Sequence, residues 1–104
     1  MKHVSILVPE QSVLQAIADP QYLFSAVNQF LSIMGKQPLF KVELVGANKE
    51  IKLNEGMFSV HADKLLQEVN KTDLVFIPAL FGDMSVAVKK NQNLVSWING
   101  QYAN

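Results

Sequence analysis

The sequence predicts an α/β domain of three layers, with a mostly parallel sheet between helices. His3–Val8 and Leu74–Ile77 are largely apolar, β-branched runs stopped by Pro9 and Pro78. Such runs suit strands buried on both faces, as in parallel sheets. Between them Leu23, Val27, Phe30, Leu31 and Met34 recur at helical spacing, which predicts an amphipathic helix over Asp19–Met34. Extended and helical segments then alternate along the chain, the order of a parallel sheet with helices on its faces.

Each element has its own signal. Ser12 followed by Gln15 reads as a capping box opening a helical turn. Asp19-Pro20 reads as a second start, with Asp as N-cap and Pro at the first helical position. Gly35 closes the long helix. Phe40–Val45 is the next strand, ended by Gly46. Glu50–Leu53 and Met57–Val60 flank Asn54-Glu55-Gly56 and read as a hairpin or two short extended pieces. His61–Asn70 reads as a short helix with Leu65, Leu66 and Val69 on one face. After the Leu74–Ile77 strand, Asp83 caps a short helix running through Lys90. Asn91 or Asn93 caps a last helix carrying Leu94, Val95, Trp97 and Ile98.

Composition bounds the function. The chain has 104 residues, 49% of them apolar and 17% charged, with formal net charge +0. It has no Cys, which excludes disulfides, thiolate metal sites and a Cys nucleophile within these residues. All nine basic residues are Lys, and a neutral chain without Arg lacks a nucleic-acid footprint. No apolar run is long enough for a membrane span, and no signal-peptide pattern is present. The expected location is the cytoplasm. No internal repeat or linker divides the chain.

Chemistry-bearing residues are sparse. His3 and His61 have no ligand spacing around them and read as surface or capping residues. Glu10 and Asp83 follow the carboxyl ends of apolar strands, where open α/β sheets bind ligands. They could form an acid/base pair, contact a ligand or cap helices. Phe81, beside Gly82 in a strand-end loop, is the one aromatic placed to face a pocket. Gly82 alone makes no phosphate loop. Lys89-Lys90 reads as a solvated helix face.

The strand His3–Pro9, the segment Ser12–Pro20 and the following Tyr22-Leu23-Phe24 resemble the opening of the ThiJ/PfpI superfamily. Phe40–Gly46, Asn54-Glu55-Gly56, Asp73–Pro78 and Trp97-Ile98 continue the likeness in order. The nearest subgroup is that of GlxA-like regulators of the AraC/XylS type. The resemblance covers essentially the whole chain but only the first half of the superfamily's domain. It implies a flavodoxin-like sheet in a truncated class I glutamine amidotransferase-like domain. Residues 1–104 then form a partial sensor domain with no DNA-binding domain.

Departures from the family pattern bear on chemistry. The Cys elbow of enzymatic members lies beyond the helix that ends this chain. No carboxylate stands near Ser12–Val13, where the family's Glu falls. Ala79-Leu80 replaces the Gly-Gly of the oxyanion hole. The resemblance therefore implies no enzyme activity and no cofactor. It implies a ligand-sensing or dimerisation part of an AraC-type regulator. The alternatives are the first half of a ThiJ/PfpI-type hydrolase or amidase-like enzyme, and a free-standing α/β protein. A small-molecule effector is expected at Glu10, Gln11 and Ala79, Leu80, Phe81, Gly82 and Asp83, beside Pro9. In the family the strand after the Trp97-bearing helix lies mid-sheet. Its absence leaves an apolar edge, for which a homo-oligomer is the expected cover.

The chain alone should show no nanomolar, sequence-specific DNA binding at physiological salt, because little is present to neutralise phosphates or read guanine edges. A fluorescence-anisotropy titration against random duplexes checks this; tight binding would contradict the charge argument.

Overall fold

Strand β1 (Lys2–Leu7) lies between β2 (Phe40–Gly46) and β6 (Leu74–Phe76), parallel to both. In the computed structural model, which describes residues 1–103, the sheet order is β5-β2-β1-β6. Strand β5 (Lys64–Leu65) pairs with the end of β2, also in parallel. The register Val4↔Val42 and Val4↔Leu74 aligns the apolar stretches of all three long-range partners.

Alternation along β1 feeds two cores. Val4, Ile6 and Val8 pack under helix α1 (Leu14–Ile33), with Ile17, Leu14 and Phe24. The hairpin of β3 (Glu50–Leu53) and β4 (Phe58–His61) joins that core through Ile51, Leu53 and Val60. Leu7 and Val45 lie on the other face, under Leu94, Trp97 and Ile98 of α3 (Gln92–Ala103). Helix α2 (Met84–Lys90) leads into α3. The three layers are therefore α1 with the hairpin, the sheet, and α3. At Gly46 a Cβ would come 2.7 Å from Ile51 Cδ1 and 3.0 Å from the Asn48 carbonyl, so a larger residue would make Ile51 shift where the hairpin turns back over the sheet.

Side chains on α1 set its rotation. Asn28 donates to the Phe40 carbonyl (2.6 Å) and accepts from the Leu39 and Phe40 amides (3.0 Å each). The Phe24 ring meets Phe40 and Phe76 edge-on, at centroid distances of 4.8 and 5.5 Å, the arrangement aromatic quadrupoles favour.

Several sequence expectations are corrected. The stripe of Leu23, Phe30 and Met34 faces outward, and only Val27 and Leu31 of that set are partly covered. The helix carries a single charge, Asp19, in 20 residues, so periodicity admits more than one inward face. The Asn28 hydrogen bonds and the Phe24 contacts select the other one. Asp19-Pro20 starts nothing: α1 begins at Leu14 and carries Pro20 inside it. Ser12 forms no capping box, because its hydroxyl donates back to the Pro9 carbonyl. His61–Asn70 is not a helix. Ala62 and Asp63 are held extended by bonds to Lys49 and Leu44, and only one 3₁₀ turn (Leu66–Glu68) follows β5. The Glu68 carboxylate accepts the Leu65 amide at 2.7 Å and the Lys49 ammonium at 3.3 Å.

The two flanking strands dock by the same device. The Asp73 amide donates to the His3 carbonyl (2.9 Å), and the Asp73 carboxylate accepts the His3 amide (2.8 Å). Asp63 does the same with Leu44, at 2.7 and 2.8 Å. Each aspartate stands one residue before its strand and locks it to the neighbour.

The His3 N–H at its oxygen, with Lys2 and Lys71 nearby, holds the Asp73 carboxyl below its ordinary range. A depressed carboxyl contributes stability that is complete above its ordinary value and is lost as pH falls through the lowered one. The chain should lose stability on acidification from about pH 4 downward. Asp73→Asn should be less stable at neutral pH and lose less on acidification. Urea midpoints followed by circular dichroism across acidic pH check this; an unchanged profile would remove Asp73 from the account.

Candidate functional site

The β1–β2 connection leaves to one side of the sheet and β6 lies on the other, so the chain diverges at the carboxyl ends of β1 and β6. This is the position at which open parallel sheets form a ligand crevice. Two loops meet there and are sewn together by backbone. The Val13 amide donates to the Ala79 carbonyl (2.9 Å) and the Phe81 amide to the Gln11 carbonyl (2.6 Å). The Gln11 side-chain amide adds a bond to the Phe81 carbonyl at 2.9 Å. Ser12 and Leu80 form an antiparallel bridge.

Gln11 stands at φ 65°, a left-handed conformation uncommon outside glycine. Those bonds hold it there. Gly82, at φ 93°, passes so close that a Cβ would lie 3.2 Å from the Gln11 side-chain nitrogen. Asn91 secures the preceding residue, Glu10. Its carbonyl oxygen accepts the Glu10 amide (2.8 Å), and its nitrogen donates to the carbonyls of Glu10 (3.0 Å) and Ala87 (2.7 Å). Asn91 is buried. It stands at the start of α3, as expected, but its side chain ties β1 to α2 and leaves the α3 amides alone.

Above these loops lies a cleft of about 770 Å³. Gln11 and Ser12 contribute to its lining from the end of β1. Phe81, Gly82, Asp83 and Lys90 line it from the α2 side, and the hairpin tip Lys52–Gly56 with Phe58 lines it from the other. Of the seven residues expected at the site, Glu10, Gln11, Phe81, Gly82 and Asp83 line the cleft. Ala79 and Leu80 do not; they are taken up in the backbone strap. Asp83 caps α2, accepting from Ser85 (2.8 Å) and Val86 (3.3 Å). Phe81 is exposed. The hairpin tip, where Asn54, Glu55 and Gly56 all have positive φ, is the part that sequence reasoning missed. The turn itself was legible, but nothing local showed that it folds over the strand ends.

The cleft presents carboxylates at Glu10, Glu55 and Asp83 and ammonium groups at Lys52 and Lys90. Leu14, Leu53, Phe58, Phe81 and Val86 make the rest of the wall apolar, so the lining suits a small molecule with an apolar body and polar groups. The hydroxyl and imidazole candidates for covalent chemistry are engaged or distant. The Ser12 hydroxyl is buried against the Pro9 carbonyl, and the Phe81 amide is spent on Gln11. His3 lies at the opposite end of β1, and His61 pairs with Glu50 at the hairpin end away from its tip. Among the described residues no three His, Asp or Glu side chains gather as a metal site.

No family model and no curated protein sequence matches the chain. Its fold matches solved structures, among them the following two. One is a crystal structure of a protein proposed to be a transcriptional regulator, from Vibrio parahaemolyticus. It superposes with a TM-score of 0.75 at 18% identity, over 98% of this chain and 51% of that one. The other is oxidized DJ-1 from Toxoplasma gondii, with a TM-score of 0.59 at 17% identity, over 96% of this chain and 50% of that one. The chain spans about half the length of the structures it matches. Its α/β fold, with a mostly parallel central sheet, is that of one half of a DJ-1-like, flavodoxin-like domain.

Asn91→Ala should cost about 1–3 kcal/mol, because the part-buried amide and carbonyl of Glu10 lose their partner while the Ala87 carbonyl keeps the backbone amide of residue 91. Protection of the Glu10 amide from hydrogen exchange should fall with it. Chemical denaturation with exchange-detected NMR measures both; a loss below about 0.5 kcal/mol would show the clamp to be dispensable.

Proposed function

We propose that the chain is a non-catalytic, ligand-sensing part of a transcriptional regulator of the AraC type, acting in the cytoplasm on a small-molecule effector. The observation that carries this reading is the cleft at the sheet's switch point, which offers charges of both signs and apolar walls, while its Ser12 hydroxyl is turned to the Pro9 carbonyl and these residues include no thiol. A sensing site needs shape and matched polar groups; the covalent chemistry of the enzymatic alternative also needs an activated nucleophile such as a thiol. The likeness to the Vibrio protein, whose proposed role is transcriptional regulation, favours the same class. Effector binding would bear on the hairpin tip and the Phe81–Asp83 loop together. DNA contact would fall to another part of the regulator, since this chain is neutral and lacks Arg. No helix of the described residues is long and apolar enough to cross a membrane.

The fold shared with DJ-1 favours a second reading, half of a ThiJ/PfpI-type hydrolase or amidase-like enzyme. That reading requires the thiol and its partners to come from residues outside these 104.

An NMR-detected screen of small metabolites with both polar and apolar groups should find ligands that shift amides of Gln11, Glu55 and Phe81. Glu10→Ala combined with Asp83→Asn, which retains the α2 cap, should weaken such a ligand about tenfold or more, the scale of one lost charged hydrogen bond. Ligands that move other amides only, or an unaffected affinity in the double variant, would count against the cleft. Turnover of an amide or dicarbonyl by this chain would favour the enzyme.

A further inference from the structure

The two walls of the cleft carry the same kinds of group. The hairpin contributes Lys52, Glu55 and Phe58, and the α2 side contributes Phe81, Asp83 and Lys90. Each wall thus holds one aromatic ring, one carboxylate and one ammonium group. Backbone register puts them there. Phe58 pairs with the buried Leu53 and stands two residues before the buried Val60, on the side of the hairpin that faces the core. It is the last residue on that side, beyond the sheet's cover. Two hydrogen bonds to Gln11 fix the backbone of Phe81. Asp83, Val86 and Lys90 follow at helical spacing along one face.

These groups are free to meet a ligand. Phe58 is 45% exposed and Phe81 70%, and the aromatic pairs among the described residues, Phe24–Phe40 and Phe24–Phe76, involve neither. The ion pairs among the described residues are Lys49–Glu68 and Lys64–Glu43, so none joins the charges of the cleft to one another. Asp83 uses Oδ1 for both of its capping bonds, which leaves Oδ2.

We propose that the cleft takes a free amino acid with an aromatic side chain. The proposal rests on the reading of the cleft as an effector site and names its ligand class. A phosphate or dicarboxylate would bring like charge against three carboxylates, and a diamine would bring it against two ammonium groups. An uncharged ring would cover those charges without pairing any of them, which is costly. A zwitterion offers one group to each sign. Its carboxylate meets Lys52 or Lys90, and its ammonium meets Glu10, Glu55 or Asp83, in charge-assisted hydrogen bonds. The ring of the ligand then lies between Phe58 and Phe81, in the offset or edge-on contact that aromatic quadrupoles favour. Leu53 and Val86 complete the apolar surface around it.

NMR titration of the whole chain with phenylalanine, leucine, phenylpropionate and phenylethylamine tests this. Phenylalanine should shift the amides of Gln11, Glu55 and Phe81 saturably. Phenylpropionate and phenylethylamine keep the ring and one charge each, and each should bind about tenfold more weakly or worse, the scale of one lost charged hydrogen bond. Phe81→Leu keeps an apolar side chain without a ring. It should weaken phenylalanine about two- to tenfold and leave leucine unchanged. Leucine binding as tightly as phenylalanine would take the rings out of the account, and a singly charged analogue binding as tightly would take out the zwitterion. Either result overturns the proposal, as does phenylalanine that shifts no amide of the cleft. The broader metabolite screen separates these failures from that of the effector site, which fails only if the screen also returns no ligand for the cleft.

Discussion

Burial of β1 on both faces and along both edges is the constraint from which the rest of the molecule follows. A strand in that position has no side left for a group that needs water. Val4, Ile6, Leu7 and Val8 meet the demand, each at most 2% exposed. Burying such side chains stabilises by ~1.5–3 kcal/mol each, so four are on the scale of a small domain's whole net stability of ~5–15 kcal/mol. Ser5 is the polar exception, and it is satisfied: its hydroxyl donates to Thr72 Oγ1 at 3.0 Å, and the Thr72 hydroxyl donates to the His3 carbonyl at 3.1 Å. The hydrogen bonds that dock Thr72 and Asp73 are thus also those that make a serine tolerable inside the sheet.

Where β1 ends, that demand relaxes and the chain changes character within three residues. Pro9 is still buried, Glu10 is exposed, and Gln11 takes a left-handed turn. The strand's carboxyl end is the first place on it where polar side chains can gather, and a second strand end lies alongside. The sewn loops keep that corner in one shape. Asn91 supplies, from a distant helix, the partners that Glu10 would find in the sheet had β1 continued. Rigid loops with exposed side chains are what a binding site requires of its scaffold.

The parts of this architecture legible in the sequence are those governed by local rules. Apolar runs stopped by proline gave β1 and β6, and Asp83 was legible as a cap because capping is a matter of neighbouring residues. The parts that failed were decided by partners far along the chain. Residues 61–70 have helical spacing, yet Leu44 and Lys49 hold their first residues extended. The inward face of α1 was misread because a helix with one charge offers several apolar stripes, and Asn28, a polar residue, chooses among them. At the cleft, the loop residues followed from fold logic alone, whereas Asn91 and the hairpin tip carry no sequence signal for where they act. Polar residues that serve the backbone of another element are the class that sequence pattern does not reveal.

The two clamps on β1 also have a consequence for the order in which the molecule can be made. His3 waits for Asp73, 70 residues later, and Glu10 waits for Asn91, 81 residues later. At the ~5–20 residues per second of protein synthesis, several seconds separate the emergence of the first strand from that of its last partners. During that interval the most apolar strand has β2, α1 and then the hairpin for cover, but one edge and the face under α3 stay open. Contacts so distant in sequence also make for slow closure, because the intervening loop must be ordered first. The central strand is therefore translated early and completed late, and this interval is when the nascent chain most needs the shelter of the ribosome tunnel or a chaperone.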